Sequence, residues 1–599
     1  KATGNANITL KDGVILDLNA AGTGTGIAYT GGSTEAKANI STGDIDVKND
    51  NGITATLSSA VNSELNITTG TIKTENSKTG IKITGAGEAT TDKEKANTTA
   101  TVTTTLGETK GTGVEVTGKA NNDITVNLGA ADVVATADDP TTKAEVSGIG
   151  VKIAGNEANG KVVVNVNQKD LSVASGTKLI DVAANAGDVT IDAKQAVKLL
   201  EGANLVDIGA AEGNITVNLN ADKQSVVKGS LVNVGAITGT TNVNINQNVV
   251  FGEDEEHKGN IVKAGAIESG ALNVNLNVKE GSLNVTAGDT AINLAAVNGD
   301  NVASVKNTGN VTIEGKGILV AGSTNSKITT LTNQGVIDLT TVKEKDAKAE
   351  NSIISTGKGV NVANYGTIKL DISSTDFLKA TEAKSLDELT TEDVAKALGK
   401  LGIIANDSGK NFSSIGYIEF NNDQSFTTAK ALDGEATVAG LASTLAKQPE
   451  GEKGFEVKKG DALTLTSESE NDKLENVQLN LKGVMITDGS KKTVVIDNSN
   501  SDNQILIRES GKIAVADGTI LDYSGNIKAD EKGEGAAIEV VGTGTLILSN
   551  GTLTVEALPA EKNESGIMVA NEAPNRVGIK LVKNAEAFVV LDNSTINAD

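Results

Sequence analysis

Lys178-Leu-Ile-Asp-Val-Ala, Asn204-Leu-Val-Asp-Ile-Gly, Ser230-Leu-Val-Asn-Val-Gly, Asn260-Ile-Val-Lys-Ala-Gly and Thr290-Ala-Ile-Asn-Leu-Ala are one phrase written five times within residues 161–300. Their starts lie 26, 26, 30 and 30 residues apart. A second phrase precedes each copy: Val162-Val-Val-Asn-Val-Asn, Val189-Thr-Ile-Asp, Ile215-Thr-Val-Asn-Leu-Asn, Val243-Asn-Ile-Asn and Leu272-Asn-Val-Asn-Leu-Asn. A shorter apolar piece such as Leu171-Ser-Val or Leu283-Asn-Val lies between them. About three short strands per repeat, at a period of 20 to 50 residues, predict a solenoid.

Alternation along each strand assigns the faces, since successive side chains point to opposite sides. Ile180, Val206, Val232, Val262 and Ile292 form one inward column, and Val182, Ile208, Val234, Ala264 and Leu294 a second. Asp181, Asp207, Asn233, Lys263 and Asn293 lie between them and are expected to face water, so that Asn233→Asp should cost little. The predicted fold is all-β: a right-handed parallel β-helix, a solenoid with about three strands per rung, in which each rung buries its apolar edge only against its neighbours. A chain of this length would hold roughly 20 such rungs.

Composition agrees. Among 599 residues there are 66 Gly, 4 Pro, no Cys and no Trp, and aromatics make up 2 %, which suits a narrow core of Val, Ile, Leu and Ala better than an aromatic-lined enzyme pocket. The net charge of −24, with Arg508 and Arg576 the only arginines, makes nucleic acid a poor partner. No apolar run is long enough for a membrane-spanning helix. Starting at Lys1 without a signal peptide, the sequence reads as a segment of something longer.

Four regions follow. Residues 1–160 carry a looser repeat, with Gly26-Ile-Ala-Tyr, Gly80-Ile-Lys-Ile and Gly113-Val-Glu-Val, and with long loops expected over 87–106 and 131–143. Residues 161–375 form the regular β-helix. After residue 300 its phrase becomes Asn307-Thr-Gly, Asn333-Gln-Gly and Asn364-Tyr-Gly before a strand, read as turns in which Gly supplies positive φ. Residues 376–460 break the period and are expected to form a small inserted α+β lobe. A helix is predicted over 385–401 with Leu389, Val394, Leu398 and Leu401 on its apolar face, and a second over 438–447. Six of the eleven Phe and Tyr residues fall in this stretch. Four of them, Phe412, Tyr417, Phe420 and Phe426, are the candidate ligand-binding residues, although a lobe of this size also needs an aromatic core. Residues 461–599 resume the β-helix.

Chemistry-bearing motifs are sparse. The single histidine, His257, sits in Gly252-Glu-Asp-Glu-Glu-His-Lys-Gly, which reads as a solvated loop because its carboxylates lack ligand spacing. Asp497-Asn-Ser-Asn-Ser-Asp-Asn imitates the start of a calcium loop, but Asp502 replaces the required Gly. Lys459-Gly-Asp461 is too short a receptor tripeptide to count. No catalytic residue, metal site or cofactor is expected.

Through Asn333-Gln-Gly-Val-Ile and Asn364-Tyr-Gly-Thr-Ile the chain resembles the passengers of monomeric (type Va) autotransporters, and among them the very large fusobacterial outer-membrane adhesins. The resemblance covers most of the chain except 376–460. It implies a monomer displayed at the bacterial cell surface, with a secretion signal upstream and a C-terminal outer-membrane barrel downstream as its only link to the membrane. It also implies an adhesin, with a host-cell receptor or glycan, or a surface protein of another bacterium, as partner. The family offers no shared catalytic residues. The alternatives are a glycan-active β-helix enzyme and a passive stalk.

Overall fold

Val206 explains the architecture in miniature. It pairs with Ile180 on one side and Val232 on the other, Val232 pairs with Val262, and Val262 with Ile292. All five are fully buried. Val182, Ile208, Val234 and Ala264 make the second column. Each side chain fills the gap left by the one beneath it, so burial propagates along the stack rather than within a rung.

The computed structural model describes the chain except at residues 11–15, 19–24, 50, 61, 87–97, 130–143, 222–224, 248, 252–258, 268–269, 279–280, 286–288, 295–301, 315–316, 323–328, 341–352, 358–359, 406–411, 415, 423–424, 428–433, 447, 449–452, 459–460, 468, 470–471, 488–492, 499–504, 508–510, 516–519, 526–533, 541–544, 550–551, 557–574, 582–587, 593–594 and 599. It forms a parallel β-solenoid with few helices. There are two compact units: Lys1–Ala363 with Lys369–Ala383 and Glu392–Phe412, and Asn364–Ile368 with Lys384–Thr391 and Ser413–Asp599. The expected lobe 376–460 therefore falls partly in each.

In the first unit each rung contributes a strand to each of three faces, as Lys161–Val166, Leu171–Val173 and Lys178–Val182 do. One face is a sheet of 13 strands from Ala2–Thr3 to Ile353–Thr356. The second begins with Ala6–Thr9 and the third with Leu16–Leu18. Glu64–Thr74 and Thr98–Thr109 run round a corner without a break, and each pairs with strands of both the second and third faces. Most of the described part of the expected loop 87–106 is thus strand.

Three sequence expectations need correction. Asp181 faces outward but is only 8 % exposed, because the Lys178 ammonium folds over it at 3.0 Å and reaches Asp207 at 2.5 Å. Leu179, Leu205, Leu231 and Ile261, one position before the inward column, are also buried. Two consecutive inward residues require the strand to bend there, which simple alternation does not anticipate. The glycines of the Asn-x-Gly turns act differently too. Gly309 and Gly335 are not among the positive-φ glycines. A Cβ on Gly335 would lie 2.0 Å from the carbonyl oxygen of Gly309, so glycine is there to let successive backbones touch. The Asn side chains of these turns stack inside, with Asn307 Nδ2 donating to Asn333 Oδ1 at 2.8 Å and both residues fully buried.

The first unit also contains helix α1 (Ser374–Leu378) and most of helix α2 (Thr391–Lys400). Ser373 caps α1, its Oγ accepting from the Asp376 amide at 3.1 Å. A 3-10 turn at Leu386–Glu388 occupies the start of the predicted 385–401 helix. Leu389, Val394 and Leu398 are buried as expected, whereas Leu401 is exposed. After α2 the chain reverses at Gly402 (φ 72°), where Ile403 N–H donates to Leu398 O at 2.9 Å and Gly402 N–H to Gly399 O at 3.1 Å. This paired C-terminal turn satisfies carbonyls the helix leaves open. It also aims Ile403 O at the amide of Ile354, 2.8 Å away. Ile353–Thr356 is the last strand of the thirteen, so α2 and its turn cover that sheet's edge.

The second unit stacks three parallel sheets of six, five and five strands, beginning with Gly434–Thr437, Gly454–Val457 and Lys473–Glu475. Helix α3 (Val438–Leu445) matches the second predicted helix and packs against Lys473–Glu475, the edge strand of its sheet. Thr437 caps it, accepting from Gly440 N–H at 3.1 Å.

Candidate functional site

The four aromatic candidates do not form one exposed cluster. Phe412 belongs to the first unit and is 6 % exposed. The other three belong to the second unit. Tyr417–Phe420 and Ser425–Thr427 make an antiparallel hairpin in which Ile418 pairs with Phe426. Strand alternation turns Ile418 and Phe420 inward and Tyr417 and Glu419 outward, and Phe420 and Phe426 are 5 % and 6 % exposed. These three phenylalanines are core residues. Tyr417 alone of the four is half-buried, and burial raises its hydroxyl pKa above the ordinary 10.0. Nearby, Tyr365 is buried under α3, with Thr444 Oγ1 donating to its carbonyl. A Cβ on Gly440 would come within 2.7 Å of the Tyr365 ring, so helix and ring are fitted closely.

Crevices offer less. One in the first unit, too narrow to admit a water molecule, is lined by Tyr29, Ser58, Ser63 and Thr98 among others. Its hydroxyls already have partners: Tyr29 Oη donates to Gly4 O (3.0 Å), Ser58 Oγ to Thr34 O (2.7 Å) and Thr98 Oγ1 to Ala60 O (2.9 Å), while Ser63 Oγ accepts from Ala36 N–H (3.0 Å). Groups so engaged make a structural seam. Among the described residues no group of three or more Asp, Glu, His or Cys could hold a metal ion. His257, the middle of the 497–503 stretch and most of the 459–461 tripeptide lie outside the described residues.

The outer surface of the first unit is where unengaged hydrogen-bonding capacity accumulates. On the face that begins with Ala6–Thr9, Asn side chains of successive rungs bond to one another. Asn39 Nδ2 donates to Asn7 Oδ1 (3.0 Å) and Asn66 Nδ2 to Asn39 Oδ1 (3.2 Å). Higher up, Asn275 donates to Asn244 (2.8 Å), Asn244 to Asn218 (2.7 Å) and Asn218 to Asp192 (2.7 Å). Beside them Asn277 donates to Asn246 (3.0 Å) and Asn246 to Asn220 (2.6 Å). The rung period places identical residue types in register, and register makes the ladder. The repeated Val-Asn-Leu-Asn phrases carried this signal, since Asn recurs there at outward positions.

The 13-stranded face differs. Its outward column runs Lys82, Glu115, Lys152, Asp181 and Asp207 in consecutive rungs. Lys82 and Glu115 form an ion pair at 2.8 Å. Charge alternates from Lys82 to Asp181, and Lys178 bridges the adjacent carboxylates of Asp181 and Asp207, so slippage by a rung would set like charges together.

No protein-family model, no curated protein and no solved structure matches the chain.

Proposed function

We propose that this chain is an adhesive surface protein of the autotransporter-passenger kind, a β-solenoid whose outer faces engage receptors or glycans on host cells or on other bacteria. The observation that supports it most is the long polar surface of the first unit, where rung after rung repeats the same outward amides and hydroxyls. A repeated weak contact is the physical basis of adhesion by avidity. Phe412, Phe420 and Phe426 are buried, and the reading therefore rests on the polar stack rather than on these rings. Among the described residues no helix is long and apolar enough to cross a membrane. In this reading the chain is held at the cell surface by parts beyond this sequence.

The test is retention of cells on a surface coated with the purified chain, using cultured epithelial cells and a panel of bacterial species. Retention of at least one cell type well above an inert protein coat is expected. No retention of any cell would overturn the adhesive reading, and release of reducing sugar from a glycan substrate would replace it with an enzymatic one.

A further inference from the structure

The middle of the Ala6–Thr9 face of the first unit is nearly uncharged. Its two middle outward columns run in register through twelve rungs, from Asn7 to Thr330 and from Thr9 to Thr332. Of these twenty-four positions, all but Val163, Asp192 and Lys306 hold Asn, Thr or Ser. The chain is 22 % charged with a net charge of −24, and the column on the neighbouring 13-stranded face is charged at rung after rung. Charge on this face lies at its edge, where Lys37 pairs with Glu64 and Lys161 with Asp123 and Asp188, and is nearly missing from the two middle columns.

What remains has a definite chemistry. A side-chain amide has two N–H donors and an oxygen with two lone pairs. An Asn within a ladder, such as Asn244, spends one donor and one lone pair on its neighbours. At such an Asn one N–H and one lone pair are left for solvent or a ligand, and rungs whose middle positions are Thr or Ser offer hydroxyls instead. At about 4.8 Å per rung the array extends about 50 Å.

A nucleic acid or acidic polymer would bring anions and find Lys306 as the one cation in the two columns, with the edge lysines Lys37 and Lys161 set beside Glu64, Asp123 and Asp188. A basic partner would be drawn to the carboxylates of the other faces. An apolar partner would have to desolvate amides and hydroxyls without replacing their hydrogen bonds. A ligand that is uncharged, extended and rich in groups that both donate and accept meets none of these costs. We propose that this face binds a neutral polysaccharide laid along the stack, a proposal that rests on the adhesive reading and names its ligand class. With no aromatic ring in the two columns, each sugar contributes little and affinity must accumulate over rungs.

The full chain, immobilised, is to be titrated with mannan, laminarin and dextran as neutral probes, with size-graded oligomers of each, and with alginate as an anionic probe. Thr101→Glu with Thr216→Glu puts two charges on the face, and Thr54→Glu with Ala321→Glu puts two on the 13-stranded face as a control. At least one neutral polymer should bind, more tightly as its oligomers lengthen, and alginate should not. The Thr101/Thr216 variant should lose affinity by about tenfold or more at an unchanged unfolding midpoint, and the control should bind as the parent does. Failure of all three neutral polymers, alginate binding equal to theirs, or equal binding by the two variants would overturn the proposal. Cell retention measured alongside separates the two claims. Cells held equally by parent and Thr101/Thr216 variant, with no polymer bound, refute the polysaccharide and keep adhesion. A polymer bound without any cell retained supports the face and refutes adhesion.

Discussion

Val232 and Asn233 are neighbours in sequence with opposite surroundings. Val232 is fully buried between Val206 and Val262, so Val232→Asp would place an unpaired carboxylate in the stack. Its expected cost is roughly 3 kcal/mol or more. Asn233 is not the indifferent position its outward phase suggests, because its Nδ2 donates to Asp207 Oδ1 at 2.7 Å. Asn233→Asp removes that bond and sets a third carboxylate beside Asp207 and Asp181. It should cost about 1–2 kcal/mol, and urea unfolding of both variants would show Val232→Asp as the larger loss with neither near zero. Lys178 supplies the compensation for the two carboxylates. Burial opposes its ammonium, yet its hydrogen bonds to Asp207 and Asp181 prevail and hold its pKa above the ordinary 10.5. A raised pKa in the folded state means a stabilisation that is complete below the unfolded-state value and lost as pH climbs through the folded-state value. Lys178→Met should therefore lower the unfolding midpoint by a constant amount at pH 7–9, with the gap to the parent closing above about pH 10.5. A gap that widened in alkali would contradict the pairing.

At the scale of elements, two glycines can be set against each other. Gly335 accommodates a backbone 2.0 Å from where its Cβ would be, whereas Gly402 has open space but a left-handed backbone. Gly402→Ala should cost about 1 kcal/mol, and Gly335→Ala distinctly more, since two backbones must separate. Thermal midpoints in the opposite order would refute the close-approach account. The comparison also shows what a sequence displays and what it conceals. The phase of the strands was legible because apolar residues recur every second position and the phrases every 26 to 30 residues. The helices α2 and α3 were legible from the broken strand periodicity and, for α2, from the apolar face of Leu389, Val394 and Leu398. Why Gly335 is Gly was not, because its partner lies a whole rung away. The same holds for the second buried position at Leu179 and for the cover Lys178 gives Asp181, both of which need the bend and register of the folded stack. The burial of the aromatic candidates was partly legible in their sequence. Tyr417-Ile-Glu-Phe alternates, and alternation buries Phe420 while leaving Tyr417 at the surface.

For the molecule as a whole, the stretch 376–460 is best understood through the edges it covers. Ile403 O occupies the amide of the last strand in the 13-stranded sheet, and α3 lies against the first strand of a sheet in the second unit. Replacing 376–460 with a short Gly/Ser linker should leave those edges bare and give concentration-dependent oligomers in light scattering. A monomer that unfolds at the parent's temperature would show the stretch to be dispensable, its strands Gly434–Thr437 and Gly454–Val457 included. The amide column above Asp192 carries one more implication. A carboxylate can only accept, so Asn218 must present its nitrogen downward, and Asn244 and Asn275 follow suit. The ladders that end on no carboxylate, Asn66 to Asn39 to Asn7 and Asn277 to Asn246 to Asn220, point the same way, so the arrow belongs to the face and is the same at each step. Any thread lying along it would meet donors and acceptors in a fixed order when read upward and in the reverse order when read downward. The surface would then tell the two ends of a polymer apart.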